Sequence, residues 1–176
     1  MSTPLEFEVT LYPNPVLRKV AENVEFDDDL KALVKAMFER MFASKGVGLA
    51  APQVGLQKRV LVLNEDGEDN EKNLALINPK IVELSGPKTL FEEGCLSFPG
   101  IYAEVTRPDR CRVEAFDVDG NKIEREFSGF ESRIVQHEYD HLEGVLLVDR
   151  MTAADRLRNK DALEDLKERY RAQKVS

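Results

Sequence analysis

An α+β domain with a mainly antiparallel sheet is the fold this sequence predicts, and three observations carry it. Short segments of strand-like apolar alternation outnumber helical ones and do not interleave with them in a regular βαβ pattern. No internal repeat, low-complexity tract or Pro/Ser-rich linker divides the chain. Its 176 residues, 42% of them hydrophobic, suit one compact domain over 1–176 that buries about two-thirds of its unfolded surface.

The elements follow in order. Residues 28–46 carry Leu30, Leu33, Val34, Met37, Phe38, Met41 and Phe42 at three- and four-residue spacing, the pattern of an amphipathic helix, with Asp27 or Asp28 as its cap and Gly46 as its left-handed stop. The glycine-rich GVGLAAPQVG at 46–55, interrupted by Pro52, predicts an ordered loop or irregular edge strand. Residues 59–63, 74–77 and 80–84 read as short strands, the first two separated by the polar loop NEDGEDNEKN. Alternation through Cys111, Val113 and Ala115, the pair Asp119-Gly120, and renewed alternation to Phe127 predict a hairpin with a two-residue turn. Ser128 and Glu131 have capping-box spacing, so a helix should run from Gly129 to a stop at Gly144. A last helix, about 152–173 with a Thr152 cap, has only the thin stripe Leu157, Leu163, Leu166 and Tyr170.

Charge and cysteine content exclude several classes. With 25 basic against 33 acidic side chains the net charge is −8, unlike a duplex-coating, sequence-specific nucleic-acid or polybasic membrane protein. No apolar run reaches the roughly 18 residues needed to span a bilayer, and the first twenty residues lack a signal-peptide core, so a cytoplasmic protein is expected. Two cysteines, Cys95 and Cys111, make no disulfide framework; in a reducing compartment a thiol is free, metal-bound or catalytic.

The chemistry concentrates in the helix that starts near Gly129. His137-Glu138-Tyr139-Asp140-His141 is an H-E-x-x-H, whose two histidines lie one turn apart on one face and can grip a metal ion, with Glu138 placed to receive a proton from water. They are the only histidines in the chain. The third ligand is open at this point. A metzincin would carry histidine at 147, where Leu147 stands. Glu164 or Glu168 would serve a glutamate-ligand zinc peptidase, although that highly charged helix suits a buried ligand poorly. Cys95, between Gly94 and Leu96, offers a soft thiolate and is the better ligand, while Cys111 fits the strand alternation as a small core residue. A cysteine hydrolase using Cys95 with one histidine is weaker, since two histidines share one face. A structural Cys/His metal module that binds a partner is the reading from outside enzymology.

Three segments, GVGLAAPQVG at 46–55, EGCLS at 93–97 and QHEYDH at 136–141, together resemble the peptide deformylases. The resemblance implies hydrolysis of the N-formyl group of the formyl-methionine that begins newly made proteins, with Fe2+ in the cell and Zn2+, Ni2+ or Co2+ able to occupy the same site. It implies Cys95, His137 and His141 as metal ligands with a fourth position for water, and Glu138 as general base. Gln53 and the Leu96 N–H would be donors to the developing oxyanion. Val47 and Gly48 would pair main-chain groups with an extended substrate; Phe91 and Ile134 would form a methionine pocket with Arg133 at its mouth. Glu93 is expected as a buried structural carboxylate, paired with Arg107.

The C-terminal stretch opposes the body in sign. Residues 150–176 hold eight basic and five acidic side chains. Because deformylases act on chains leaving the ribosome, weak docking on ribosomal RNA through Arg156, Arg158, Lys160, Lys167, Arg169, Arg171 and Lys174 is an expectation, set against a solvated helix whose charges pair among themselves.

Overall fold

The computed structural model describes residues 7–68 and 70–175. Helix α1, Asp28–Ala43, begins where Asp27 Oδ1 accepts the Leu30 N–H at 2.8 Å and buries Leu30, Leu33, Val34, Met37 and Met41 along one face. It ends three residues before Gly46. Lys45, not Gly46, takes the left-handed conformation, at φ 58°. A Cβ at Gly46 would lie 2.9 Å from Leu96 Cδ1, so a side chain there would displace the tip of Leu96.

Residues 46–55 do form an irregular edge. Strand β1, Gly48–Ala50, pairs only with β2, Val60–Leu63, and runs into a 3-10 turn over Ala51–Val54. The sheet is antiparallel with order β1-β2-β3-β4-β5. The expected strands at 74–77 and 80–84 are parts of one long strand, β3, Leu74–Cys95, whose register shifts at four places along β4, Phe98–Phe116. Leu96 and Ser97 are the two-residue turn between them, since Cys95 pairs with Phe98. The β4–β5 hairpin is present, with β5 at Lys122–Ser128, but Phe116 pairs with Lys122, so its loop has five residues rather than two. Asp117 Oδ1 organises that loop by accepting the Asp119 and Asn121 N–H groups.

Helix α2, Gly129–Leu142, crosses the sheet. Its capping box does not form: Ser128 makes no side-chain cap bond, and Glu131 pairs with Arg125 at 2.9 Å instead. Gly144 has φ 74° and faces the Arg18 carbonyl oxygen, 2.5 Å from where a Cβ would sit. The expected last helix is broken. After α3, Leu147–Arg150, come α4, Ala153–Arg158, and α5, Lys160–Val175, separated at Asn159. Thr152 caps α4 as expected. Leu157 is 74% exposed, whereas Leu163 and Leu166 are buried.

The break has a cause on β4. Before Arg110 that strand has no β5 partner, and Asp155 Oδ2 accepts the Glu104 N–H while Asn159 Nδ2 donates to the Tyr102 carbonyl. The C-terminal helices thus satisfy a strand edge that would otherwise be open. Apolar side chains gather in three clusters. One lies between α2 and the sheet, one beneath α1, and one around Leu17, Phe98 and Ile101 under the C-terminal helices.

Candidate metal centre

Three ligand atoms converge where α2 passes the β3–β4 turn. One donor atom each from Cys95, His137 and His141 lies within 4.8 Å of the others, and Cys95 Sγ is 3.3 Å from His141 Nε2. The helix puts both imidazoles on one face, with ring centroids 5.3 Å apart, and the turn delivers the cysteine. Among the described residues no fourth His, Cys, Asp or Glu joins the cluster. Glu164 and Glu168 are exposed on α5, and Leu147 is a core residue, so neither peptidase alternative finds its ligand.

A buried charge network holds this cluster from behind. Glu93 is buried and accepts four hydrogen bonds: Arg107 Nε at 2.7 Å, Arg107 Nη2 at 3.0 Å, Arg133 Nη1 at 2.7 Å and His137 Nδ1 at 2.9 Å. A carboxylate only accepts, so His137 carries its proton on Nδ1 and presents Nε2 to the cluster. Arg107 Nη1 continues to Asp140 at 3.0 Å, and Arg150 clasps Asp140 through Nε and Nη2. Burial works against the charge on Glu93, yet the bonds from His137 and Arg107 hold its carboxyl well below the usual range. Burial likewise opposes a charged His137, but the negative charge on Cys95 and the bond to Glu93 outweigh it and raise its pKa. For His141, burial and then the charge on His137 push the pKa down.

Glu138 has different surroundings. Its side chain is buried, its Oε2 has no hydrogen-bond partner, and burial pushes its carboxyl up to about 7. Of the three buried side-chain polar atoms left without a partner among the described residues, two belong here: Glu138 Oε2 and His141 Nδ1. A cation-binding donor set, an oriented histidine and an unpartnered carboxylate oxygen fit a divalent metal with water beside it.

The cluster opens into a cleft of about 690 Å³ bounded by β1 on one side and the β3–β4 turn on the other. The Val47 carbonyl is already taken by the Asn64 N–H at 2.8 Å. Strand alternation therefore turns the N–H and C=O of Gly48 towards the free edge. A Cβ on Gly48 would lie 2.9 Å from both Glu138 Cγ and Ile134 Cγ2, so only glycine brings this edge so close to α2. Gln53 is buried beside Cys95, its Nε2 3.6 Å from Sγ, and Leu96 stands in the adjoining turn.

Phe91 is 53% exposed on the cleft wall beside Phe130, with ring centroids 6.4 Å apart, and Ile134 is buried at its floor. Arg133 lines the cleft beside Phe91, its guanidinium carbon 5.5 Å from that ring's centroid. It is 8% exposed, and its guanidinium is committed to Glu93, the Val105 carbonyl and Thr89. The need to balance Glu93 draws it inward. Cys111 is buried in the core and accepts from Ser132 Oγ at 3.4 Å. Sequence reasoning gave no role to Ser97, which closes the EGCLS motif and contacts Gln53, or to Arg150, which lies outside every motif.

Residues 7–157 match the family model described as Polypeptide deformylase. The chain is 47% identical over 177 residues to a protein of Arabidopsis thaliana named peptide deformylase 1B, chloroplastic/mitochondrial, covering 96% of this chain and 64% of that protein. It spans 64% and 55% of the related rice and tomato proteins. To the peptide deformylase of Thermotoga sp. (strain RQ2) it is 42% identical over 161 residues, covering 91% of this chain and 96% of the relative. Among solved structures, a peptide deformylase from Plasmodium falciparum superposes with TM-score 0.91 at 43% identity, covering 94% of this chain and 98% of that one. A plant peptide deformylase superposes with TM-score 0.93 at 45% identity, covering 100% and 96%.

Proposed function

The chain belongs to the polypeptide deformylase family, and on that premise we propose that it hydrolyses the N-formyl group from the N-terminal formyl-methionine of newly synthesised proteins, releasing formate. One observation carries the reading: three ligand atoms within 4.8 Å of one another beside a buried, unpartnered carboxylate oxygen.

Cys95, His137 and His141 would hold one divalent cation, which is Fe2+ on the family resemblance, with Zn2+, Ni2+ or Co2+ able to bind the same donors. When bound, such an ion supplies Lewis acidity that polarises a carbonyl and makes water more acidic. Glu138 Oε2 takes the proton of the attacking water and returns it to the leaving amine. Gln53 Nε2 and the Leu96 N–H donate to the oxygen that becomes negative, and losing one such donor costs about 10²–10³ in rate. Gly48 pairs its outward main-chain groups with the extended substrate, and Val47, whose carbonyl is already taken, shapes the strand beside it. Phe91 and Ile134 receive the methionine side chain, and Arg133 braces that wall from inside through Glu93 and Thr89.

Anaerobic purification, metal analysis and an assay of formate release from a formyl-methionyl tripeptide test the proposal. We expect one divalent ion per chain and one formate per peptide cleaved; a metal-loaded chain that releases none overturns it. The iron-loaded form should lose activity in air faster than the nickel-loaded form, and equal lability counts against iron.

Two further assignments belong to the proposal. The protein acts in the cytoplasm, a reducing compartment consistent with free Cys95 and Cys111; no helix among the described residues is long and apolar enough to cross a membrane. The second is weak ribosome docking through α4 and α5. Among the described residues Lys167, Arg169 and Arg158 pair with Glu164, Asp165 and Asp155, whereas Arg156, Lys160 and Arg171 form no ion pair there and are the side chains proposed to meet phosphate. Because Leu163 and Leu166 belong to the core, charge reversal at those three is the sound test, rather than truncation. Lost co-sedimentation at low salt with retained peptide turnover supports docking; unchanged co-sedimentation sinks it.

A further inference from the structure

The Gln53 carboxamide is fixed at both ends. Its Oε1 accepts the Ala50 N–H at 3.0 Å, and since a backbone N–H only donates, that contact decides which end of the amide is oxygen. Nε2 is thereby turned to two acceptors, Ser97 Oγ at 3.2 Å and Cys95 Sγ at 3.6 Å. Ser97 is itself fully buried and tied down: its carbonyl accepts the Tyr12 N–H at 3.0 Å, and the Tyr12 ring stacks on Phe98 with centroids 4.8 Å apart. The Gln53 carbonyl accepts the Thr10 N–H. A short strap over residues 10–12 therefore holds both the turn that carries Gln53 and the turn that carries Leu96 and Ser97.

We propose that Ser97 is the positioning residue of the oxyanion donors: its hydroxyl oxygen takes one Nε2 proton of Gln53 and so aims the other along the long contact towards Cys95 Sγ, from which it passes to the substrate oxygen. The inference rests on the reading of Gln53 given above. The two Nε2 protons lie in one plane, so fixing one fixes the direction of the other. The last torsion of a glutamine side chain is broad, and Ala50 alone leaves the amide plane free to turn about the Oε1 contact. Ser97 removes that freedom without touching substrate, and the strap keeps Ser97 and Gln53 at one separation.

A double-mutant cycle in the metal-loaded full chain tests this, using Ser97→Ala, Gln53→Ala and the double variant on a formyl-methionyl tripeptide. Losing one neutral hydrogen bond that sets the donor should lower kcat about tenfold and leave KM unchanged. In the Gln53→Ala background, Ser97→Ala should lower kcat no further. Equal losses in both backgrounds overturn the proposal, because Ser97 would then act independently of Gln53. Wild-type kcat in Gln53→Ala overturns the reading of Gln53, and this proposal with it. A second readout needs no turnover: hydrogen exchange of the Gln53 side-chain amide in the zinc-loaded, ¹⁵N-labelled chain. It should speed up in Ser97→Ala while exchange in the α2 backbone stays as in the wild type; unchanged Gln53 exchange overturns the proposal. A wild-type chain that releases no formate sinks the function reading, and the exchange measurement still decides whether Ser97 sets the amide.

Discussion

Replacing Glu93 by glutamine keeps the outline of the side chain and removes the charge that two guanidiniums and an imidazole surround. The carboxylate is 6% exposed and accepts four hydrogen bonds, two on each oxygen. An amide has one accepting end, so the Nε2 of Glu93→Gln must face two donors. Turned towards Arg107 Nε and Arg133 Nη1, it leaves the first without an acceptor and the second with the Val105 carbonyl alone. Turned towards His137, it donates to Nδ1 and drives the imidazole proton onto Nε2, the nitrogen that faces Cys95 and His141. Either way Arg133 keeps only carbonyl and hydroxyl partners, while Arg107 keeps Asp140.

Removing one member of a buried ion pair costs about 3–5 kcal/mol, and the surviving Arg107–Asp140 contact favours about 3. At this chain length each kcal/mol moves the melting temperature by about 2–4 °C, so Glu93→Gln should melt roughly 6–12 °C lower in chelator. Metal affinity should fall about 10–100-fold, the usual effect of losing the group that orients a ligating histidine. Glu83→Gln is the control on the same strand. Its partner Arg112 is 39% exposed, so the pair is worth less than about 1 kcal/mol and its loss should barely move the transition. Thermal unfolding with circular dichroism, and competition against a metal indicator, read the two quantities. A Glu93→Gln variant that melts with Glu83→Gln and binds metal as the wild type does would refute the argument that this buried charge holds His137.

Glu138→Ala should retain a bound metal and lose about 10²–10⁴ in deformylation rate; near-native turnover means the base is assigned to the wrong residue. Gly48→Ala pushes a methyl within 2.9 Å of Glu138 Cγ and Ile134 Cγ2, so kcat/KM on a formyl-methionyl peptide should fall at least about tenfold, and an unchanged value would show that β1 yields freely. Iodoacetamide should label Cys95 in metal-free folded protein and spare Cys111, whose thiol burial pushes up; mass spectrometry of the tryptic peptides would expose the reverse pattern.

What could be read in advance and what could not divide along a physical line. Helix α1 was legible because its apolar residues repeat at helical spacing, and Asp27 caps where its short acidic side chain suggests; α2 was expected from a capping box that does not form, and from two histidines one turn apart. The long arm of β3 and β4 was not, since its inward face is polar where it supports the metal centre. Glu93 and Arg107 are buried while Leu90 is 56% exposed, which inverts the pattern that marks a strand. The Leu96-Ser97 turn contains no glycine or asparagine to announce it. The bonds of Arg133 were not legible, because an arginine in sequence shows no partner and its carboxylate lies forty residues away. The candidate ligands were recoverable, the histidines from helix spacing and the cysteine from its motif. The long-range bonds that orient them were visible only as the expected Glu93–Arg107 pair.

Helix α2 shows why so short a motif can organise a whole site. Its residues fall on three stripes, each facing a different neighbour. Arg133, His137 and His141, four residues apart, form the stripe that meets the buried carboxylate and the cysteine turn. Ile134 and Glu138 form the next, pressed against Gly48 at the edge strand, so the base and the strand edge share one contact. Gln136 and Asp140 face the far side, where Pro108, Arg107 and Arg150 anchor them. A shift of the helix along its axis would break all three sets together, because each stripe is tied to a different strand or helix. The charges that look redundant in the sequence, three arginines around two acids, therefore register α2 against β3, β4 and α3. That registration places the Glu138 side chain beside the β1 edge that borders the cleft.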